Sequence, residues 1–113
     1  MIKIYHNNRC SKSRCGLEIL EQSGKPFEVV KYLDDTLSVK ALKEIISLLN
    51  IKPIDLVRKN EAIWKENFKN KPLDDDSIIN AMVKFPKLIE RPIVINDNKA
   101  TIGRPPELIL DII

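Results

Sequence analysis

Ile2-Lys3-Ile4-Tyr5-His6-Asn7-Asn8-Arg9-Cys10-Ser11-Lys12-Ser13-Arg14-Cys15 opens the chain and decides how the rest is read. Ile2 to Tyr5 alternates apolar and polar residues, as a half-buried strand does. A helical pattern follows from Arg14 to Ser23, with Leu17, Ile19 and Leu20 on its apolar face and Gly24 in the usual stop position. Cys10 therefore lies between the end of a first strand and the mouth of a first helix. Unpaired backbone N–H groups and the positive helix end favour thiolate over thiol there. Arg9, Lys12 and Arg14 add positive charge, and no Asp or Glu occurs before Glu18. A surface that favours a thiolate also favours an incoming oxyanion.

Outward from this stretch, Pro26 to Leu33 is rich in β-branched and aromatic residues and reads as a second strand. Two strands joined through a helix must run parallel. Ser38 caps a helix over Val39–Leu49, where Leu42, Ile45, Ile46 and Leu49 recur at helical spacing. Pro53 opens a short helix ending near Val57. Glu61 to Phe68 is helical, and Asp74-Asp75-Asp76 precedes a helix over Ser77–Lys84 that Pro86 ends. Pro92–Ile95 and Lys99–Ile102 form a hairpin about the turn Asn96-Asp97-Asn98. Gly103 ends it, and Pro105-Pro106 start a final helix through Ile112. The order is β-α-β, a helical insert at about 38–85, then β-β-α. This predicts an α/β fold: a mixed four-stranded sheet with helices on its faces, in a single domain over residues 1–113.

Composition narrows the function. With 43% hydrophobic and 31% charged residues, 113 residues suit one modest core and a soluble protein. No apolar run approaches the roughly 20 residues that span a membrane. The start lacks the apolar region of a secretory signal, so a cytoplasmic location is expected. Two cysteines make no disulfide framework, and with one histidine they make no closed zinc site. The net charge of +3 is mild and the basic residues are scattered, so no nucleic-acid partner is expected. A monomer is expected.

Three arginines follow element ends: Arg58 in Leu56-Val57-Arg58-Lys59-Asn60, Arg91 in Glu90-Arg91-Pro92-Ile93-Val94, and Arg104 in Ile102-Gly103-Arg104-Pro105-Pro106-Glu107. Arginine suits tetrahedral oxyanions because its fork donates two parallel charge-assisted hydrogen bonds. Each is equally readable as a surface ion-pair partner, and sequence spacing says nothing of convergence. From base rates alone the Arg91–Pro92 bond reads as trans.

Together with Tyr5-His6-Asn7 and Cys10-Ser11-Lys12-Ser13-Arg14, these fragments resemble the arsenate reductase family of the glutaredoxin-dependent, thioredoxin-fold type (ArsC). The resemblance covers essentially the whole chain, in order and spacing. It implies a thioredoxin-like fold and Cys10 as the nucleophile. It implies that Arg58, Arg91 and Arg104 hold arsenate and its thiol adduct, and that Arg91–Pro92 is cis, with Pro92 facing the cysteine loop. It also implies no bound cofactor. Glutathione is the expected co-substrate, and glutaredoxin, or else thioredoxin, the expected reductant. His6 either favours the thiolate, shuttles a proton, or is simply a satisfied polar residue. Ser13, which with Arg14 matches the family loop, either hydrogen-bonds the Cys10 sulfur or caps the first turn.

Two departures stand out. Asn8-Arg9 replaces an Asn-Pro common before the cysteine. Cys15 lies outside the motif and reads either as a resolving thiol or as a small buried helix residue. Helical geometry points it about 140° away from Cys10, beyond easy reach of a bridge, and Gly16 would ease the unwinding that a bridge needs. Other readings are a redox-sensing regulator of the Spx type, which usually carries a Cys-x-x-Cys pair and lacks the third arginine, or a thiol oxidoreductase with another substrate.

Overall fold

The computed structural model describes residues 1–113. The chain divides into two compact units: residues 1–35 with 91–113, and residues 36–90.

The first unit holds the sheet. Strands β1 (Ile2–Tyr5), β2 (Phe27–Val30), β3 (Ile93–Asn96) and β4 (Lys99–Ile102) lie in the order β2-β1-β3-β4. β1 pairs parallel with β2 and antiparallel with β3, and β3 pairs antiparallel with β4. This is the mixed, thioredoxin-like β-α-β…β-β arrangement expected. β2 is shorter than the apolar run around it. It pairs only over the four residues that β1 offers, from Ile2↔Phe27 to Tyr5↔Val30. The hairpin turns through Asp97, which sits at φ 54°, a conformation Asp tolerates.

Helix α1 (Ser11–Ser23) crosses from β1 to β2. It starts three residues before the expected Arg14, because its first turn carries no apolar residue to announce it. Cys10 is its N-cap, and the Arg14 N–H bonds to the Cys10 carbonyl at 3.0 Å. Gly24 ends it at φ 72°. The core of this unit is Ile2, Ile4, Leu20, Val94 and Ile109, with Leu17, Ile19, Phe27, Ile112 and Ile113 packed around it. The final helix is 3-10 rather than α, over Pro106–Asp111. It is a short segment opened by two prolines, the kind of piece in which 3-10 geometry occurs.

Pro92 and Ile109 meet two glycines. A Cβ on Gly16 of α1 would lie 3.0 Å from both Pro92 Cγ and Ile109 Cδ1. A Cβ on Gly103 would lie 2.9 Å and 3.1 Å from the same two atoms. The missing side chains let α1, the start of β3 and the final helix close on one another.

The second unit is helical: α2 (Val39–Leu49), α3 (Ala62–Asn67) and α4 (Asp75–Lys84), with 3-10 turns at Pro53–Leu56 and Pro86–Leu88. Ser38 caps α2 by accepting from the Ala41 N–H, and Asp74 caps α4 by accepting from the Ser77 N–H at 2.8 Å. Leu42, Ile45 and Ile46 of α2 and Ile78, Ile79 and Met82 of α4 are buried. Trp64 stacks on Phe68 with ring centroids 5.5 Å apart, and Phe68 meets the edge of Phe85.

The glycine wedge yields a stability test. Gly103→Ala should cost about 1–3 kcal/mol by overpacking against the rigid Pro92 ring. Gly16→Ala should cost less, because alanine regains about 1 kcal/mol of helix propensity. Urea denaturation of both variants measures the difference.

Candidate active site

The register of the sheet decides what reaches Cys10. Tyr5 is opposite Ile93, and Ile93 is opposite Ile102. The segments leaving those three residues therefore emerge at one end of the sheet. Cys10 follows Tyr5 by five residues, Arg91 precedes Ile93 by two, and Arg104 follows Ile102 by two. Residues far apart in sequence are thus delivered to one place.

The loop from β1 to α1 is fixed by its own side chains. Asn7, buried, accepts the Arg9 N–H on Oδ1 at 3.0 Å, and its carbonyl accepts the Cys10 N–H at 3.0 Å. The Ser13 hydroxyl, fully buried, accepts the Asn7 N–H at 3.0 Å and meets His6 Nδ1 at 2.7 Å. Arg14, exposed, donates from Nη1 to the Asn8 carbonyl at 3.0 Å. The chain can hardly leave β1 by another path without orphaning buried polar groups.

Cys10 is a free, half-buried thiol. Burial alone would raise its pKa. The Ser13 backbone N–H, the hydrogen bond and charge of Arg91, and the Lys12 backbone N–H outweigh it, and the net shift is downward, towards thiolate. Arg104 donates from Nη2 to the Cys10 sulfur at 3.5 Å and from Nε to the Arg91 carbonyl at 2.8 Å. The second bond aims the guanidinium and ties the two arginines together. Arg91–Pro92 is cis, as the resemblance implies and base rates do not. Arg104–Pro105 is also cis, which the sequence reading did not foresee.

The structure also places the supporting residues. Ser13 places its backbone N–H, not its hydroxyl, toward the sulfur; the hydroxyl serves His6 and Asn7. His6 is buried and its pKa is lowered, first by burial and then by the charges of Lys31 and Arg14 against an opposing hydrogen-bond contribution at Ser13. Burial thus favours its neutral form, and Nδ1 meets the Ser13 hydroxyl. Asn7 was part of the quoted motif but not among the expected site residues. An Asn three residues before a helix N-cap is a turn signal that could have placed it.

Cys15 is exposed, which corrects its reading as a buried helix residue. The buried face of α1 runs through Ser13, Gly16 and Leu20. Cys15 is two residues, about 200°, past Ser13 and so faces away. Gly16 is not a hinge either: it is buried in the wedge against Pro92 and Ile109.

Arg58 belongs to the second unit. Its backbone N–H bonds to the Leu88 carbonyl at 2.7 Å, and its guanidinium lies 3.4 Å from Glu61 Oε1 and 3.3 Å from Glu90 Oε1. Neither carboxylate was singled out from the sequence. No three His, Cys, Asp or Glu side chains are grouped as a metal site would require, and no helix is long and apolar enough to cross a membrane.

Comparison with known proteins agrees with this geometry. The model of the ArsC family matches residues 5–112. The chain is 44% identical to an uncharacterized protein, YfgD, of Escherichia coli K12, over 99% of this chain and 96% of that one. It is 44% identical to an arsenate reductase of Neisseria meningitidis, over 94% and 92% respectively. The structure of an arsenate reductase from Vibrio cholerae superposes with a TM-score of 0.94 at 43% identity, covering 99% of this chain and 97% of that one. A family model that spans residues 5–112, with relatives alike over nearly the whole chain, places the chain in the ArsC family.

Proposed function

We propose that the protein is an arsenate reductase in which Cys10 is the nucleophile and an external thiol completes the reduction. The observation that carries this reading is the Cys10 sulfur with the Arg104 guanidinium 3.5 Å away and the Arg91 charge beside it. A thiolate attacking an anion meets repulsion, and fixed positive donors offset it as charge builds in the transition state.

In the proposed sequence the Cys10 thiolate attacks arsenic(V). A sulfur–arsenic bond forms, an arsenic–oxygen bond breaks, and the released oxygen leaves as water after protonation. Glutathione then contributes the second thiol. Two electrons pass from the two sulfurs to arsenic, which departs as arsenite, and a Cys10–glutathione disulfide remains. Glutaredoxin thiols reduce that disulfide and return Cys10 to thiolate. No bound cofactor enters the scheme.

Arg91 and Arg104 hold the oxyanion and the adduct in this scheme. The family resemblance assigns Arg58 as the third arginine of the same task, and its two carboxylate neighbours would then compete with the anion for its guanidinium. Asn7, Ser13 and Arg14 keep the loop in shape, His6 supports it as a neutral partner of Ser13, and cis Pro92 shapes the loop before β3. Resolution by Cys15 would require the first turn of α1 to open and Gly16 to leave its packing, which favours an external thiol.

The direct test is arsenate reduction with glutathione plus glutaredoxin, run beside thioredoxin plus its reductase. Activity is expected with the first pair and lost in Cys10→Ser. Turnover in Cys10→Ser would remove Cys10 from the nucleophile role, and no activity with either pair would remove arsenate as the substrate.

Arg91→Ala should weaken oxyanion binding about 10- to 100-fold, the worth of a lost charge-assisted bond. It should also move the alkylation of Cys10 to higher pH. The sign follows from the site: Arg91 lowers the thiol pKa, so its removal leaves burial less opposed. Iodoacetamide rates against pH should inflect below those of the urea-unfolded chain for the native protein, and closer to them for the variant.

Oxidation with one equivalent of peroxide checks the route of resolution. Mass spectrometry should find no Cys10–Cys15 bridge; finding one would assign Cys15 the resolving role.

A further inference from the structure

The basic residues next to Cys10 fall into two groups. Arg91 and Arg104 act on the sulfur itself. Arg9 and Lys12 flank Cys10 in sequence, are exposed, and enter no ion pair or side-chain hydrogen bond. Residues 1–17 contain four of the 19 basic residues and none of the 16 acidic ones, leaving 15 basic against 16 acidic in the rest of the chain. The whole positive excess of the protein therefore sits in the segment that carries the thiol.

Helix stability does not explain this charge. Lys12 lies in the first turn of α1, where the macrodipole disfavours a cation, and that turn has no acidic residue. Helix α4 has the ordinary arrangement, with Asp75 and Asp76 in its first turn behind the Asp74 cap. Nor does loop geometry need these side chains. The Arg9 contribution to the loop is its backbone N–H, received by Asn7.

We propose that Arg9 and Lys12 are specificity-determining residues that select small anionic reactants over neutral ones at Cys10, carboxylate-bearing thiols included. They do so by raising the local concentration and encounter rate of anions. One residue before and two after the thiol, both side chains rise from the segment that holds it, and a Debye length at ordinary ionic strength is about 8–10 Å. Field from such a rim acts on association rate and is removed by salt. The inference goes beyond the proposed reaction, since it concerns which molecules reach the sulfur and holds for any oxyanion substrate.

The test uses two alkylating agents of nearly equal size, iodoacetate and iodoacetamide. In each, the Cys10 thiolate attacks the methylene carbon, a sulfur–carbon bond forms and iodide leaves. Cys15→Ser serves as the background, so that one thiol is read. The iodoacetate-to-iodoacetamide rate ratio should fall about 3-fold in Arg9→Gln/Lys12→Gln at low salt, roughly 2-fold or less for each charge. Both rates are read at a pH where Cys10 is fully thiolate; there the iodoacetamide rate should change much less than the iodoacetate rate, and 0.5 M NaCl should bring the two ratios together. An unchanged ratio in the double variant would overturn the proposal. So would an equal fall in both rates, which would mean that the two residues act on the thiolate itself. Neither result depends on arsenate turnover, so failure here and failure of the proposed reaction are told apart.

Discussion

The bond between the Ser13 hydroxyl and the end of β1 is the constraint on which the site depends. Ser13 lies in the first turn of α1, and its partners His6 and Asn7 lie just past the last residue of β1. One buried hydroxyl thus staples a strand end to a helix start. It leaves Asn7 free to turn the chain through its own side chain and carbonyl. The result is a loop whose amides at Lys12 and Ser13 face the sulfur. The staple fixes that helix start, and with it the two amides, against the end of β1. A hydroxyl bonded only to His6 and Asn7 thus helps to place the helix start whose amides face the sulfur.

The arginines depend on a second layer of the same logic. Pairing of β1 with β3 and of β3 with β4 brings Arg91 and Arg104 to the end of the sheet where β1 terminates. Long side chains there would scatter without further restraint. The Arg104 Nε–Arg91 carbonyl bond uses one face of the guanidinium for positioning and leaves Nη2 for the sulfur. The wedge of Pro92 and Ile109 between Gly16 and Gly103 holds the backbone on either side. Placement of charge thus rests on close packing, in which an added methyl is crowded, rather than on the charges alone.

Much of this was legible in sequence, and the rest was hidden for physical reasons. β1 and α2 were read with their observed bounds because each has clean periodicity and a clear stop: alternation in Ile2–Tyr5, and a capped apolar face in Val39–Leu49. The start of α1 was read late because a turn devoted to a thiol site has no apolar face to show. The exposure of Cys15 was missed because the buried face of α1 is set by Ser13 and Gly16, neither of them hydrophobic. Gly16 reads in sequence as flexibility, whereas it packs closely against Pro92 and Ile109, whose positions only the fold supplies. The family resemblance supplied the cis Arg91–Pro92 bond; the cis Arg104–Pro105 bond had no such pointer. The carboxylates beside Arg58 were invisible because Glu61 is near in sequence but Glu90 meets it only through the Val57↔Ile89 bridge.

The distribution of charge around Cys10 has a logic of its own. A cation in contact with the sulfur stabilises the thiolate, and by doing so it lowers the nucleophilicity of that sulfur. Adding more contact charge would soon stop helping. Charge set further out softens this conflict, since screening weakens its hold on the thiolate while it still draws anions toward the site. The site has both arrangements: Arg91 and Arg104 at the sulfur, and Arg9 and Lys12 on the exposed rim. The penalty is a first helical turn whose side-chain charges oppose its dipole. A helix held by packing at Leu20, Gly16 and Ile109 can bear that opposition, so the stability of the wedge and the charge at the helix mouth are two sides of one solution.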